Sequence, residues 1–140
     1  MDEDHTEKAL TLLSSWVAGE TEIVLPSLWV YEVGNIVGRK SGERAEEIMA
    51  LLLDYRFPEA RTDAGHLMAT LDLMRRHGVT FYDASYHAVA LKAGGTFVTA
   101  DDAYVRRAGN AGHVVSLKDL VFPFASALRQ LEVDPPSKNN

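Results

Sequence analysis

Three acidic residues lie where an apolar segment meets a turn. Glu32 stands in the segment PSLWVYEVGNIV, Asp83 in GVTFYDASYHAVA, and Asp101 in GTFVTADDAYVRRA. A hard cation would make such positions favourable, because Mg²⁺ prefers the oxygens of carboxylates and water. The residue types and their placement therefore suggest a divalent-metal site that keeps water available for chemistry.

Helix capping is a simpler explanation for two of these acids. Asp83 follows Thr80 by three residues, which is a capping-box pattern, and a carboxylate in a first helical turn is stabilised by the helix dipole. The pair Asp101-Asp102 precedes a helical segment and is a normal N-terminal cap. Taken singly, Asp83 and Asp101 therefore do not require a metal.

Glu32 is harder to explain without a partner. It lies in the middle of a helical pattern with apolar residues on nearly every side, and a buried carboxylate without a partner is costly. A bound cation or an exposed position at a rim removes that cost. Asn35, three residues later, shares the same helix face and is expected to support the site.

Apolar spacing and turn residues indicate alternating helices and strands. Ser27 is predicted to cap a helix, and Gly78 to end one. A strand around residues 55–60 is only weakly indicated because of Pro58. The predicted helices cover about residues 6–18, 27–39, 41–53, 63–77, 80–93 and 103–108, and the predicted strands cover 21–25, 96–99, 113–116 and a very short one near Val79.

This alternation predicts an α/β fold with a parallel sheet covered by helices on both faces. In such sheets, ligands lie beyond the carboxyl ends of the strands. Glu32, Asp83 and Asp101 each follow a predicted strand, so we expect them to converge on one rim. His87 lies one turn after Asp83 and is expected to be a partly buried helix residue or a support for the site. Arg106 and Arg107, near Asp101, are the candidates for contact with a substrate backbone.

Composition is that of an ordinary soluble domain. The 140 residues are 46% hydrophobic and 24% charged, which is enough for one core, and no apolar run is long enough to span a bilayer. The chain has no cysteine, which excludes disulfides and thiolate metal sites and fits a cytoplasmic protein. A net charge of −6 argues against binding nucleic acid by bulk attraction, although a bound cation inverts the charge locally.

The three acidic segments together resemble a PIN domain of the VapC toxin type. The resemblance covers about residues 5–120, and the ordered set of motifs is more specific than any one of them. The matching motifs are Glu32 with Asn35 after a Pro-Ser strand end, Tyr82-Asp83-Ala84 at a helix start, and Thr99-Ala100-Asp101 at a strand end.

The resemblance implies a Mg²⁺- or Mn²⁺-dependent ribonuclease that is the toxic half of a type II toxin–antitoxin pair. It implies catalytic and metal-binding roles for Glu32, Asp83 and Asp101, a supporting hydroxyl at Thr99, and an auxiliary acid at Asp102. The implied partners are an antitoxin protein, an RNA substrate and a second copy of the chain, without a membrane. The expected fold is a PIN-like arrangement of three layers over residues 1–122, followed by a tail at 123–140 whose last residues are expected to be disordered.

The chain departs from the family pattern at its start. Family members open with a central strand that carries a further Asp, and nothing before the first predicted helix resembles that strand. A central strand of about five residues contributes several hydrogen bonds at about 1 kcal/mol each and buried side chains at about 2 kcal/mol each. That sum is comparable to the roughly 5–15 kcal/mol stability of a domain. A chain that simply lacks this strand is therefore not expected to fold as a normal monomer. Three alternatives remain open: the true start lies upstream, another segment fills the position, or the protein is a poorly stable remnant with an attenuated site.

Two other functions fit the same sequence. One is a catalytically inactive PIN-like module that binds an antitoxin or RNA without turnover. The other is an unrelated phosphoacceptor of the receiver type that uses Asp101-Asp102, for which Lys118 is a weak match to the required lysine.

Overall fold

Short parallel strands alternate with helices along the computed structural model, which describes residues 3–121, with side chains described from residue 5. The predicted tail at 123–140 lies outside the described residues. Three short 3₁₀ turns cover residues 42–44, 109–111 and 117–119. The helices and strands are α1 (Glu3–Val17), β1 (Leu25–Pro26), α2 (Trp29–Ser41), α3 (Ala45–Asp54), β2 (Glu59–Ala60), α4 (Ala64–His77), α5 (Phe81–Ala93), β3 (Phe97–Thr99), α6 (Asp102–Ala108) and β4 (Val114–Ser116).

The strands pair in parallel, as the alternation predicts, and the fold is mostly helical α/β of PIN-like type. Leu25 pairs with Glu59 in β1 and β2, and Phe97 pairs with Val114 in β3 and β4. Within residues 3–121 these pairs form two separate two-stranded sheets. The sequence predicts one continuous sheet, but in the structure β1 and β3 are not paired and the sheet is interrupted between them.

Two predicted strands differ from the structure. The strand expected at 21–25 is shorter and later, at Leu25–Pro26. The strand expected near Val79 is absent, and residues 78–80 form the connection between α4 and α5. These two helices pack closely on each other, and a three-residue link between packed antiparallel helices leaves no length for a strand. The weak strand near Pro58 is present at Glu59–Ala60.

Helix ends follow the predicted turn residues in most places. Gly78 ends α4 with a left-handed φ of 65°, and the hydroxyl of Thr80 accepts a hydrogen bond from the Asp83 N–H at 3.4 Å. The predicted cap at Ser27 is wrong. Leu28 takes the N-cap position of α2 without a side-chain bond, because the Ser27 hydroxyl instead bonds the Thr62 hydroxyl at 2.7 Å.

Helix α5 is the central element and carries the most completely buried residues. Ala84, Ser85 and His87 are fully buried, and Ala88 nearly so. On one side Ala84 and Ala88 pack with Leu73 of α4. A second apolar cluster contains Val115, Leu117 and Leu120, against which Leu12 of α1 and Val98 of β3 pack. The small residues of α5 allow close approach of its neighbours.

The start of α2 is anchored by a buried tryptophan. The Trp29 Nε1–H donates to the Glu59 carboxylate at 2.7 Å, which ties α2 to β2. The Trp29 ring meets Phe57 edge-to-face at 5.7 Å between centroids, and Phe57 in turn packs on Trp16 and Tyr55. Glu32 follows Trp29 by three residues, and so these contacts set the position of Glu32.

Among residues 3–121, no helix is both long enough and apolar enough to cross a membrane.

Candidate metal centre

A cavity of about 740 Å³ opens between β1 and β3, and two of the three predicted acids line it. Glu32 reaches it from α2, and Asp83 reaches it from the first turn of α5. Residues 21–25 form one wall, and residues 96–100 form the other. Acids from distant parts of the chain therefore meet at one rim, as expected for ligands beyond the ends of parallel strands.

The carboxyl of Asp83 is half-buried, and little in its surroundings stabilises its negative charge. Burial raises the pKa of Asp83 above its ordinary value, the hydroxyl of Thr80 opposes this rise, and the charge of Asp101 adds to it. The Thr80 hydroxyl lies 3.3 Å from the carboxylate. The helix-capping contact is thus real, yet it does not offset the cost of burying the charge. A nearby cation would lower that cost.

Asp101 uses one carboxylate oxygen to cap α6. Its Oδ1 accepts from the N–H groups of Ala103 at 3.0 Å and Tyr104 at 3.2 Å. Its own N–H donates to the Thr99 hydroxyl at 3.1 Å. The capping explanation therefore holds for Oδ1. The electrostatic effect of Asp101 on Asp83 shows that the two carboxylates also lie close enough to repel each other.

Tyr86 is a member of the site that the sequence reasoning missed. Burial is the main cause of the raised pKa of Tyr86, and the interaction of its hydroxyl with the Glu32 carboxylate adds to the rise. Its ring stacks on Phe97 of β3 at 5.8 Å between centroids, and it lines the same cavity as Glu32. The available signal was the spacing, because Tyr86 follows Asp83 by three residues and therefore shares its helix face.

Asp102, the predicted auxiliary acid, is held by partners on the β4 side. Its carboxylate accepts a very short hydrogen bond from the Ser116 hydroxyl, and Lys118 Nζ lies 3.2 Å from Oδ2. The bond from Ser116 and then Lys118 lower the pKa of Asp102. Sequence reasoning did not connect Ser116 with the site, and it considered Lys118 only as a weak match in the phosphoacceptor alternative.

We predict that Asp102→Asn lowers thermal stability and reduces any metal-dependent activity much less than Asp101→Asn. The folded state lowers the Asp102 pKa, so its stabilising effect is present above the unfolded-state value of about 3.9 and is lost as pH falls through the folded-state value. Thermal melts from pH 3 to pH 7 should show the variant deficit only at the higher pH. Asp119→Asn, at an exposed acid nearby, is the control. A deficit that persists unchanged at pH 3 would contradict this role.

The remaining predicted residues lie away from the cavity lining. Asn35 and Arg106 are exposed, and Arg107 Nη1 donates to the Gly78 carbonyl at 3.2 Å. His87 is fully buried rather than partly buried, with both ring nitrogens bonded inside the core. His87 therefore serves the fold, and the roles of Asn35, Arg106 and Arg107 stay predictions.

The donor set matches Mg²⁺ or Mn²⁺ in kind, since it consists of carboxylate oxygens. Burial is the main cause of the raised pKa of Asp83, and the charge of Asp101 adds to it. Within residues 3–121, however, no group of three such side chains is already gathered closely enough to hold an ion. The site fits a divalent cation in the chemistry of its donor atoms.

Comparison with models of protein families identifies the family of the chain: one model matches. It is the PIN domain model, and it matches residues 2–110, which includes Glu32, Asp83 and Asp101. The chain belongs to the PIN domain family. Searches of curated proteins and of solved structures gave no match. As a PIN domain, the protein has a nuclease-like function in general terms, and the resemblance to PIN domains predicted from three short motifs is confirmed.

Proposed function

We propose that this PIN domain is a Mg²⁺- or Mn²⁺-dependent endoribonuclease and the toxin of a type II toxin–antitoxin pair. The observation that supports this most is the convergence of Glu32 and Asp83 on one cavity, with Asp101 near enough to raise the pKa of Asp83. Glu32 and Asp83 come from separate segments of the chain, and helix capping alone does not explain why both line one cavity.

In this proposal the three acids hold the cation and position the RNA phosphate. A bound Mg²⁺ or Mn²⁺ would supply an activated water and stabilise negative charge at the phosphodiester. Tyr86, which interacts with Glu32, would help to orient its carboxylate. Thr99 orients the backbone of Asp101, and Asp102 maintains the start of α6 next to it. The further Asp of the family pattern is not assigned to a residue of this chain.

Electrostatics makes RNA binding dependent on the cation. The rim carries three carboxylates, and the whole chain carries a net charge of −6, so the metal-free rim repels phosphate. A bound divalent ion changes the local sign and gives the phosphate its counter-charge. Arg106 and Arg107, on α6 after Asp101, are the proposed additional contacts to the RNA backbone.

The exposed apolar side chains of α2 and α3 support a protein partner. Tyr31 is 74% exposed and Leu51 is 59% exposed, and Ile36 and Leu53 are also exposed. Such side chains grouped on neighbouring helices are typical of interaction surfaces. We propose that an antitoxin, or a second copy of the chain in a homodimer, covers this surface in a cytoplasmic complex.

Cleavage of a fluorescently labelled single-stranded RNA tests the proposed function. We expect cleavage with Mn²⁺, none with a chelator, and a loss larger than about 10–100-fold in Glu32→Gln, because a supporting group of a metal site already contributes that much. Glu43→Gln, at an exposed acid in the 42–44 turn, is the control and should cleave normally.

Two results would contradict the enzymatic proposal. Cleavage that is indifferent to the chelator would show that another activity is responsible. Tight binding of RNA or antitoxin without cleavage at high Mn²⁺ would favour the inactive binding module, which the open arrangement of the acids also allows.

A further inference from the structure

Two of the three acids are each followed, one helical turn later, by a buried ring. His87 follows Asp83 by four residues in α5 and has no exposed surface. Tyr104 follows Asp101, the cap of α6, by three residues and is 3% exposed. Residues three or four apart lie on the same face of a helix. Each acid is therefore backed by a ring of the core on its own helix.

These two rings are hydrogen-bonded to each other. His87 Nδ1 lies 2.7 Å from the Tyr104 hydroxyl, and the rings meet edge-to-face with 5.5 Å between centroids. His87 Nε2 lies 2.7 Å from the Gly112 carbonyl, and because a carbonyl only accepts, Nε2 carries the proton. In the neutral ring that burial favours, Nδ1 then accepts from the Tyr104 hydroxyl. This bond joins α5 to α6 inside the core.

Phe97 of β3 packs on this hydrogen-bonded pair. Its ring meets Tyr104 edge-to-face at 5.4 Å between centroids and lies 6.1 Å from the His87 ring. It also stacks on Tyr86 at 5.8 Å. Aromatic pairs at these spacings contribute stability beyond the area that they bury. Four rings from α5, β3 and α6 thus pack as one unit on the core side of the acids.

Tyr104 is the residue through which this packing reaches the acids. Its N–H donates to Asp101 Oδ1 at 3.2 Å, so the residue that bonds His87 also holds the Asp101 carboxylate. Burial raises the pKa of Tyr104, and the charge of Asp83 adds to the rise. The Tyr104 hydroxyl therefore lies within electrostatic reach of Asp83.

We propose that the buried hydrogen bond between His87 and Tyr104 sets the position of Asp101 relative to Asp83. Both ring residues are then positioning residues for the metal site. The consequence for metal affinity rests on the proposed function. The placement of α6 against α5 does not depend on a metal, and so the two are measured separately.

Distances between spin labels test the placement of α6 in the metal-free protein. The chain has no cysteine, so Lys92→Cys in α5 and Arg106→Cys in α6, both at exposed positions, can each carry a nitroxide. In chelator, the labelled parent should show one narrow distance distribution by double electron–electron resonance. Tyr104→Phe removes only the hydroxyl, leaves His87 Nδ1 without its donor, and should broaden or shift that distribution. An unchanged distribution would overturn the proposal.

Thr70→Val is the matched control, because it also deletes one buried hydroxyl. Thr70 has no exposed surface, and its hydroxyl donates at 2.8 Å to the His66 carbonyl of its own helix, α4. Both variants should unfold at a lower temperature than the parent. Only Tyr104→Phe should change the distances between the labels.

Titration of the unlabelled proteins with Mn²⁺, followed by the paramagnetic resonance signal of the free ion, tests the consequence for the metal. Contacts that orient metal ligands typically contribute about 10–100-fold to affinity, so the Kd of Tyr104→Phe should rise about tenfold. The Kd of Thr70→Val should equal that of the parent. An unchanged Kd in Tyr104→Phe would overturn the positioning role, and so would an equal rise in both variants, which would show a general loss of stability.

Failure of the proposed function gives a different result. A parent that binds no Mn²⁺, with label distances that still change in Tyr104→Phe, would reject the metal site and establish the link between α5 and α6.

Discussion

Asp83→Asn should abolish metal-dependent RNA cleavage and, in the same protein, raise the stability of the metal-free fold. The carboxyl is half-buried, and Asp101 lies close enough to repel its charge. An amide of the same shape keeps an oxygen for the Thr80 hydroxyl but carries no charge. We expect a gain on the order of 0.5–1 kcal/mol at neutral pH, in the range common for relief of unfavourable site interactions.

The pH dependence of this gain has a definite sign. The folded state raises the Asp83 pKa, so the ionised group destabilises the fold at pH values above the folded-state pKa. Below the unfolded-state value of about 3.9 the group is protonated in both states, and the variant and the parent should then be equally stable. The difference should therefore grow as pH rises from 3 to 7.

Added Mn²⁺ should make the parent protein more stable than Asp83→Asn. A ligand at 100 times its Kd stabilises the protein that binds it by about 2.7 kcal/mol, and only the parent has the full set of acids. Thermal melts with Mn²⁺ and with chelator measure both effects, and Asp54→Asn, at an exposed acid of α3, is the control. A variant that is less stable than the parent in chelator, or that is stabilised equally by Mn²⁺, would show that Asp83 serves only to cap α5.

His87→Phe should destabilise the fold by about 2–5 kcal/mol. The side chain is fully buried, with Nδ1 2.7 Å from the Tyr104 hydroxyl and Nε2 2.7 Å from the Gly112 carbonyl. Because a carbonyl only accepts, Nε2 donates to it, and in the neutral ring that burial favours, Nδ1 accepts from the Tyr104 hydroxyl. Phenylalanine fills the space but leaves two buried polar groups without partners, at about 1–3 kcal/mol each.

Burial is also the main reason why the His87 pKa is lowered. The unfolded chain takes up a proton near pH 6.5 and the folded chain does not, so stability is lost as pH falls below about 6.5. The parent should lose stability between pH 7 and pH 5, and this contribution should be missing from His87→Phe. Urea unfolding at both pH values measures it, with His113→Asn as a control at an exposed position whose φ of 59° suits asparagine. An unchanged pH slope in His87→Phe would assign the loss to other groups.

Local signals in the sequence determined the helices of the C-terminal half and two of the acid positions. Thr80, Gly78 and Asp101 cap helices through contacts with residues within one helical turn, and capping depends only on such local contacts. The predicted boundaries of α4, α5 and α6 are accordingly close to those observed. The three short PIN motifs were also sufficient to predict the family, because each couples an acid to its own strand end or helix start.

Contacts between residues distant in sequence depend on the tertiary structure, and local sequence patterns do not predict them. Ser27 is a good cap in isolation, yet a hydroxyl 35 residues away bonds it instead. Tyr86 contacts Glu32, and Asp102 contacts Ser116 and Lys118, only because helices and strands distant in sequence pack together. The separation of β1 from β3 likewise depends on how both strands pack on α5, and this packing creates the cavity between them. The sequence by itself determined which residues carry charge and where helices begin and end. Long-range packing determined which charges meet, because the free energies of burial and repulsion depend on neighbours in space.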